Sequence, residues 1–426
     1  MVENGSTDGT RKIVQKLAQR DSRIKLQLRE QNHLITGETP PPLYAFVYSL
    51  SEAFDGYITY VDADDWWEPD YLERLVTLAE ENELDIACTG MCSHIMATGK
   101  VEVAKPQQRR VYYTRKEFLE NFADCHVHFG PYWGKLIRIN IAKKAGIPPE
   151  LACSADTIWC YSLLRHAERI GIDDSAMYHY RIHRKSVSNH YVPARFDSDA
   201  YVYNAYIDLV SEASSVSQKN RDCIDKYYSY LVNRTLQLVH DAQQVPPEEK
   251  LREYRRIAEH DTMRNTYIQN MLDCRKLRIL LLQCAFAAKC GIEGESTDFA
   301  AVLDVVEPYC SDLDDDVFLS EQIEICRLLE RGESAKTLGQ MTSILQTREK
   351  LYSTKIFVSA YITLAEREKK ADLVGYGMQK LAEFYLKRND AAKCRALLAE
   401  LVPEEQNKML AQTIYKPKPF LDGQTT

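Results

Sequence analysis

The run Tyr60-Val61-Asp62-Ala63-Asp64-Asp65-Trp66-Trp67 places three carboxylates within four residues. Crowded carboxylates repel one another, so such a cluster needs a cation or a set of hydrogen-bond donors close by. The segment before it, Gly56-Tyr57-Ile58-Thr59-Tyr60-Val61, alternates as a β-strand does. After it, Trp66-Trp67-Glu68-Pro69-Asp70 leads into a helix, with Pro69 suited to the first turn. The acids therefore sit where a buried strand runs out into a loop, the edge at which open α/β sheets hold their ligands. Hard oxygen ligands favour magnesium or manganese, which in turn hold phosphate oxygens. A helix–loop–helix calcium site fits poorly, because its sixth position would be Trp67 rather than glycine. A solvated acidic turn is the alternative that the spacing alone leaves open.

With 426 residues, 45% hydrophobic and 27% charged, the chain has the make-up of a globular protein of two or three domains. A net charge of −8 argues against general nucleic-acid binding. The longest aliphatic run, Ile279-Leu280-Leu281-Leu282, falls far short of the ~20 residues of a membrane span, and the polar start shows no signal peptide. The 12 cysteines have no paired spacing; Cys88, Cys92 and His94 lack the second pair that would complete a zinc site. They read as ordinary thiols of a reducing cytosol.

At the start of the chain, Val2-Glu3-Asn4-Gly5-Ser6-Thr7-Asp8-Gly9-Thr10 reads as a strand end, a tight turn and a helix cap. A helix striped by Ile13, Val14, Leu17 and Ala18 follows, and then a strand over Ile24–Leu28. This is one βαβ unit with its loop at the carboxyl end of the sheet. It has neither the GxGxxG spacing of a dinucleotide site nor the Lys-Ser/Thr of a P-loop.

The Val2–Thr10 turn, followed by Gly56-Tyr57-Ile58-Thr59-Tyr60-Val61-Asp62-Ala63-Asp64-Asp65-Trp66-Trp67-Glu68-Pro69-Asp70-Tyr71-Leu72, resembles the family-two inverting glycosyltransferases of the GT-A fold. That resemblance implies a Rossmann-like α/β nucleotide-diphospho-sugar transferase domain. It makes Asp62 and Asp64 the DxD acids, with Asp64 the main ligand of a Mg2+ or Mn2+ ion on the donor diphosphate. Glu3 and Asn4 stand where the family carries two aspartates against the base and ribose, so they are expected donor-binding residues. The Asn4 amide oxygen can still accept from a uracil N–H.

Two departures stand out. Members normally begin one strand earlier, with a Pro-x-Tyr-Asn turn forming the other wall of the base pocket, so the chain is expected to start late. Between Asn32 and Asp55, an insertion bearing His33 and Pro40-Pro41-Pro42 precedes Ala45-Phe46-Val47, which stands in place of the family's Ala-Arg-Asn. The arginine that would grip the diphosphate is missing there.

Further along, Asp85–Gly90 reads as a strand and Phe118–Asp124 as a short helix, with His126 and His128 alternating on an apparent strand. Trp133-Gly134-Lys135-Leu136 resembles the family's acceptor-pocket segment, making Trp133 and Lys135 expected acceptor contacts. Asp156 opens a helix and matches the family's general base, although Ala155 replaces the usual preceding acid. Simple capping of that helix is the alternative, and Glu150, Asp173 or Asp174 would be the next bases to consider. Met177–Ser188 resembles the closing strand and lid, which puts Arg181, His183 and Arg184 beside the departing diphosphate.

Beyond Val192 amphipathic helices dominate, as over Tyr227–Val239 and Leu251–His260, with Pro246-Pro247 as a break. Leu345–Leu364, Val374–Leu386 and Ala391–Leu401 read as helices, the last two joined by a tetratricopeptide-like turn at Lys387-Arg388-Asn389-Asp390. The expected organisation is a GT-A domain over 1–192, an all-α helical region over 193–330, helical hairpins over 331–415 and a tail over 416–426. The expected function is inverting, metal-dependent transfer of a sugar, from a UDP-sugar foremost, to a glycan or lipid-linked acceptor in surface polysaccharide synthesis. The expected location is the cytoplasm, with peripheral association at the inner face of the membrane and a protein partner for the helical half. The alternative is a catalytically inactive glycosyltransferase-like scaffold whose helices bind partners.

Overall fold

The computed structural model describes residues 1–30, 56–146, 151–183, 190–213, 215–268, 272–309, 317–347 and 355–387, together with Lys393, Cys394 and Leu397. The insertion at 33–42, the segment 45–47, Glu150, Arg184, most of Ala391–Leu401 and the tail lie outside the described residues. The chain forms two compact units, Met1–Tyr228 and Ser229–Thr426.

The first unit opens with the expected βαβ arrangement: β1 (Val2–Asn4), α1 (Thr10–Arg20) and β2 (Gln27–Arg29). β1 and β2 pair in parallel, Glu3 opposite Leu28. They form their own two-stranded sheet, with no ladder to the larger one among the described residues. The apolar stripe of α1 is amphipathic as expected, yet none of its residues is buried.

The larger sheet is built from β3 (Tyr57–Ile58), β4 (Trp66–Trp67), then after α2 (Tyr71–Glu81) the long β5 (Ile86–Ile95), β6 (Lys100–Ala104) and β7 (Arg110–Tyr112). α3 (Arg115–Glu120) and two 3-10 turns lead to β8 (Lys135–Arg138), α4 (Ile139–Lys144), α5 (Ala155–His166) and β9 (Ile170–Ile182). Its order is β3-β8-β5-β9-β4, with β6 on β5 and β7 on β9. Only β5 and β9 run parallel; the other pairings are antiparallel. β9 is the hinge of this sheet. β5 pairs with one edge of it from Ile170 to Ile182, while the other edge carries β7 on its first half and β4 on its second, with His179 opposite Trp66 and Tyr178 opposite Trp67.

Three expectations change here. Trp66-Trp67 is a short strand rather than the approach to a helix, and Pro69 precedes the helix cap Asp70 instead of standing in the first turn. His126 and His128 lie on a 3-10 turn, Phe122–Asp124 forming the other, so the two histidines do not alternate across a strand. His126 meets Cys223 Sγ at 3.3 Å, and burial, then the nearby Lys135 charge, lowers the His128 pKa to about 4.

The unit ends with α6 (Arg195–Ser211) and the start of α7 (Gln218–Asp241), whose Asn220 side chain donates to Leu119 O and accepts from the Ala123 amide.

The second unit is helical. α8 (Pro247–Glu259) starts on Pro247 at its first turn, as the Pro-Pro break predicts. α9 (Asp261–Ile268), α10 (Leu272–Cys290), α11 (Thr297–Val306), α12 (Val317–Glu330), α13 (Ser334–Thr347), α14 (Lys355–Arg367) and α15 (Ala371–Lys387) follow. Of the helix expected over Leu345–Leu364, Leu345–Thr347 lie on α13 and Lys355–Leu364 on α14, while 348–354 lie outside the described residues. α14 turns into α15 through Lys369 in the left-handed region at φ 55°, with the Lys370 amide bonded back to Ala365 O at 2.9 Å. No described helix is long and apolar enough to cross a membrane.

Gly90 stands where the β5–β9 register shifts, and its backbone is closely packed. A Cβ there would stand 2.5 Å from Ala104 O and 2.7 Å from Ser175 O, both backbone atoms that cannot swing aside. Gly90→Ala is therefore expected to cost about 1–3 kcal/mol, whereas Gly130→Ala, with nothing within 4 Å, should change stability little. Thermal melting of both variants checks this; equal melting temperatures would show that the bulge tolerates a side chain.

Candidate functional site

The acid loop runs from β3 to β4, and β9 ties it down from behind. The Tyr178 hydroxyl accepts the Asp62 amide at 3.2 Å and donates to Asp65 Oδ2 at 2.8 Å. The Arg181 amide donates to the other Asp65 oxygen at 2.8 Å. Tyr132 donates its hydroxyl to Asp62 Oδ1. Two of the three acids are thus held by neutral donors. Asp65 has both oxygens committed. Asp64 alone faces outward, with His183 Nε2 across from its Oδ2 at 3.1 Å.

These environments have an electrostatic consequence. Burial raises the Asp62 pKa, the Tyr132 hydroxyl offsets part of that rise, and the charges of Asp65 and Asp64 add to it. Burial likewise raises Asp65, against the Arg181 amide and the Tyr178 hydroxyl. A nearby cation would relieve both.

Aromatic rings brace this loop on two sides. Trp133 stacks on Tyr178 with centroids 4.1 Å apart and planes 6° from parallel, and meets Tyr180 at 5.2 Å. On the other face of β9, Trp66 stacks on His179 at 4.8 Å, and the Arg181 guanidinium lies 5.3 Å from the Trp66 ring centre. His179 bonds His94 at 2.9 Å and Glu68 at 2.8 Å.

Asp156 is the second residue of α5. The cap position belongs to Ser154, in the left-handed region at φ 62° with no side-chain cap bond. The Asp156 carboxylate takes the Thr157 amide at 2.9 Å. Burial raises its pKa; the Thr157 amide and then Lys135 oppose this, while Asp62 adds to it. Asp62 and Asp156 therefore sense one another, which brings the acid loop and the candidate base into one neighbourhood.

The other expected residues fall as follows. Lys135 is fully buried and donates to the Pro131 carbonyl and, at 3.1 Å, to Trp133 O. Its burial corrects the expectation that it meets an acceptor. Trp133, 8% exposed, has its ring between tyrosines and acts chiefly as a brace. Glu3 is also buried, with one oxygen on the Ser6 amide and the other on Arg11 Nε. The Ser6 bonds, then Arg11, hold its pKa at about 2, so it stitches its own turn. Asn4 ends β1, and its side chain lies outside the described set. Asp173, one of the three fallback bases, is buried and bound by Arg74, Arg109 and Ser175, which leaves it no room to take a proton.

No group of three or more His, Cys, Asp or Glu side chains is assembled to hold a metal among the described residues. The donor set still fits magnesium or manganese, which keep waters and substrate phosphates and ask for one or two carboxylates. Asp64, with Asp62 behind it, supplies these.

Tyr132 and Tyr178 are the working residues that motif reading passes over. Their only sequence signal is an aromatic at alternate positions, Tyr178 and Tyr180, on the closing strand. Tyr178→Phe keeps the stack on Trp133 but leaves the Asp62 amide and an Asp65 oxygen unpaired, at about 1–3 kcal/mol. The expected result is a lower melting temperature and faster hydrogen exchange at the Asp62 amide. Unchanged exchange there would show that the loop holds its shape without the hydroxyl.

The chain is 24% identical over 226 residues to "Putative glycosyltransferase EpsH" of Bacillus subtilis (strain 168), covering 52% of this chain and 63% of that protein. It is 25% identical over 210 residues to "Uncharacterized glycosyltransferase EpsJ" of the same organism, covering 48% of this chain and 58% of that one. The chain thus spans under two thirds of the length of these relatives. Among solved structures, S. aureus TarS 1-349 in complex with UDP-GlcNAc matches at a TM-score of 0.38 and 14% identity, over 86% of this chain and 82% of that one. The model of the family "Glycosyl transferase family 2" matches residues 1–145, which carry the acid loop, Tyr132 and Lys135; this N-terminal part of the chain is a family-two glycosyltransferase domain.

Proposed function

We propose that this protein transfers a sugar from a nucleotide-diphosphate donor, a UDP-sugar foremost, to a hydroxyl of a glycan or lipid-linked acceptor, with inversion at the anomeric carbon. Synthesis of a surface polysaccharide at the inner face of the cell membrane is the setting that suits such an acceptor. The observation that carries this reading is the separation of roles among the acids: Asp62 and Asp65 are tied to tyrosines and to β9, while Asp64 faces outward.

When bound, Mg2+ or Mn2+ would neutralise charge on the donor diphosphate, held by Asp64 with Asp62 behind it. Asp156 takes the proton from the acceptor hydroxyl as that oxygen bonds to the anomeric carbon. The bond from that carbon to the diphosphate breaks, and the electron pair leaves with the diphosphate. Arg181, on β9, and His183, just past its end and 3.1 Å from Asp64, stabilise the departing charge. Burial makes Asp156 a stronger base than a solvated carboxylate, as this role requires.

A catalytically inactive scaffold is the competing reading. It draws on one observation: Glu3 is committed to Ser6 and Arg11, on a two-stranded sheet with no ladder to the larger one among the described residues.

Titration calorimetry with uridine diphosphate separates the two. Metal-dependent binding that Asp64→Ala abolishes is the expected result; metal-independent binding would remove the metal role of the acid loop, and no binding at all would favour the scaffold. With a donor and acceptor in hand, Asp64→Ala should lower turnover at least about a hundredfold. Asp156→Asn should keep donor binding while turnover falls by about 10²–10⁴-fold. An active Asp156→Asn enzyme would exclude Asp156 as the base.

A further inference from the structure

Lys135 is an unusual residue for its position. It lies on β8 with no exposed surface, and an ammonium in such a place is costly unless charge and hydrogen bonds compensate it. Its Nζ donates to the carbonyls of Pro131 and Trp133. No ion pair within 4 Å is recorded for it among the described residues. Its positive charge is therefore answered by backbone dipoles and by carboxylates farther off.

The Pro131 carbonyl shows where those carboxylates are. The same oxygen that takes Lys135 Nζ also accepts from Cys160 Sγ at 3.3 Å. Cys160 and Asp156 are four residues apart on α5, hence on one face of that helix, Asp156 a turn closer to its start. The Lys135 ammonium is thereby fixed against the face of α5 that carries Asp156. Phe129 covers it, its ring centre 5.5 Å from Nζ, and buried Cys88 adds a further water-free wall. In so dry a setting one charge acts on another over a longer distance than in water.

We infer that Lys135 is a positioning residue for the transfer reaction: its buried charge keeps the Asp156 carboxylate ionised and ready to take the acceptor proton. The inference rests on the reading of Asp156 as the base. Four groups face that carboxylate: the Thr157 amide and Cys160 from its own helix, Lys135 from β8 and Asp62 from the acid loop. Burial, and far behind it Asp62, push Asp156 toward its protonated form, and Cys160, whose own thiol burial pushes up to about 12, stays neutral. Lys135 is the full positive charge on the other side of that balance. The Lys135 charge also explains why neighbouring His128 resists protonation, after the larger effect of its burial.

The direction of the effect is fixed. Activity needs ionised Asp156, so the acid limb of the rate–pH profile follows its pKa. Removing a nearby positive charge raises a carboxylate pKa and moves that limb to higher pH.

The test is the pH profile of Lys135→Gln, which keeps hydrogen-bond donors for Pro131 and Trp133 but carries no charge. A folded variant whose acid limb lies about 1–3 pH units above wild type, with donor binding retained at neutral pH, is the expected result. A folded variant with an unmoved acid limb overturns the inference. If Lys135→Gln does not fold, the double variant K135Q/D156N decides. A double variant that folds where the single one fails supports the pairing of the two charges, and one no better folded contradicts it. Asp156→Asn alone reports separately on the base: if it stays active, the reading beneath the inference fails, whatever Lys135→Gln does.

Discussion

The hydroxyl of Tyr178 is the contact on which the rest of the site depends. Three carboxylates in four residues cannot share one loop unless something absorbs their repulsion and their loss of water. Tyr178, fully buried on β9, accepts one backbone amide from the loop and donates to one of its carboxylates. Tyr132 and the Arg181 amide take up further oxygens. Neutral donors thus settle Asp62 and Asp65 without spending a charge on them. The repulsion that remains is directed at the outward acid, Asp64, where a divalent cation gains most.

The same tyrosine links the loop to the opposite wall. Its ring stacks on Trp133, the Trp133 carbonyl accepts from Lys135, and Lys135 shares the Pro131 carbonyl with Cys160 on the helix of Asp156. A chain of packed rings and hydrogen bonds therefore runs from the acid loop to the candidate base. Displacement of either end is felt at the other because each link is buried and has little room to relax. The strain at Ser154, in the left-handed region immediately before the helix, sits at one end of this chain.

Much of this organisation was legible from residue patterns. The βαβ start, the acid loop after a strand and the helix opening at Asp156 follow from periodicity and turn chemistry, and the closing strand through Arg181 from the family resemblance. What the sequence hid were contacts made across long separations. Trp66-Trp67 reads as an approach to a helix because its pairing partner, Tyr178-His179, lies over a hundred residues away. The DADD run does not say which acids are tied down, since Tyr132 and Tyr178 decide it from other elements. Lys135 looks like an acceptor contact within a Trp-Gly-Lys run, and only burial on β8 reveals a charge turned inward. Glu3 looks like a ligand contact until Arg11, in the first turn of α1, is seen to claim it.

The central claim is that β9 holds Asp65 and Asp62 in place so that Asp64 meets the cation. It is tested most directly by a crystal structure of the chain grown with manganese and uridine diphosphate, with anomalous scattering locating the metal. The expected result is one manganese bonded to Asp64 and to diphosphate oxygens, with the Tyr178 hydroxyl still on Asp65. A manganese bonded to Asp65, with Tyr178 displaced from it, would contradict the claim.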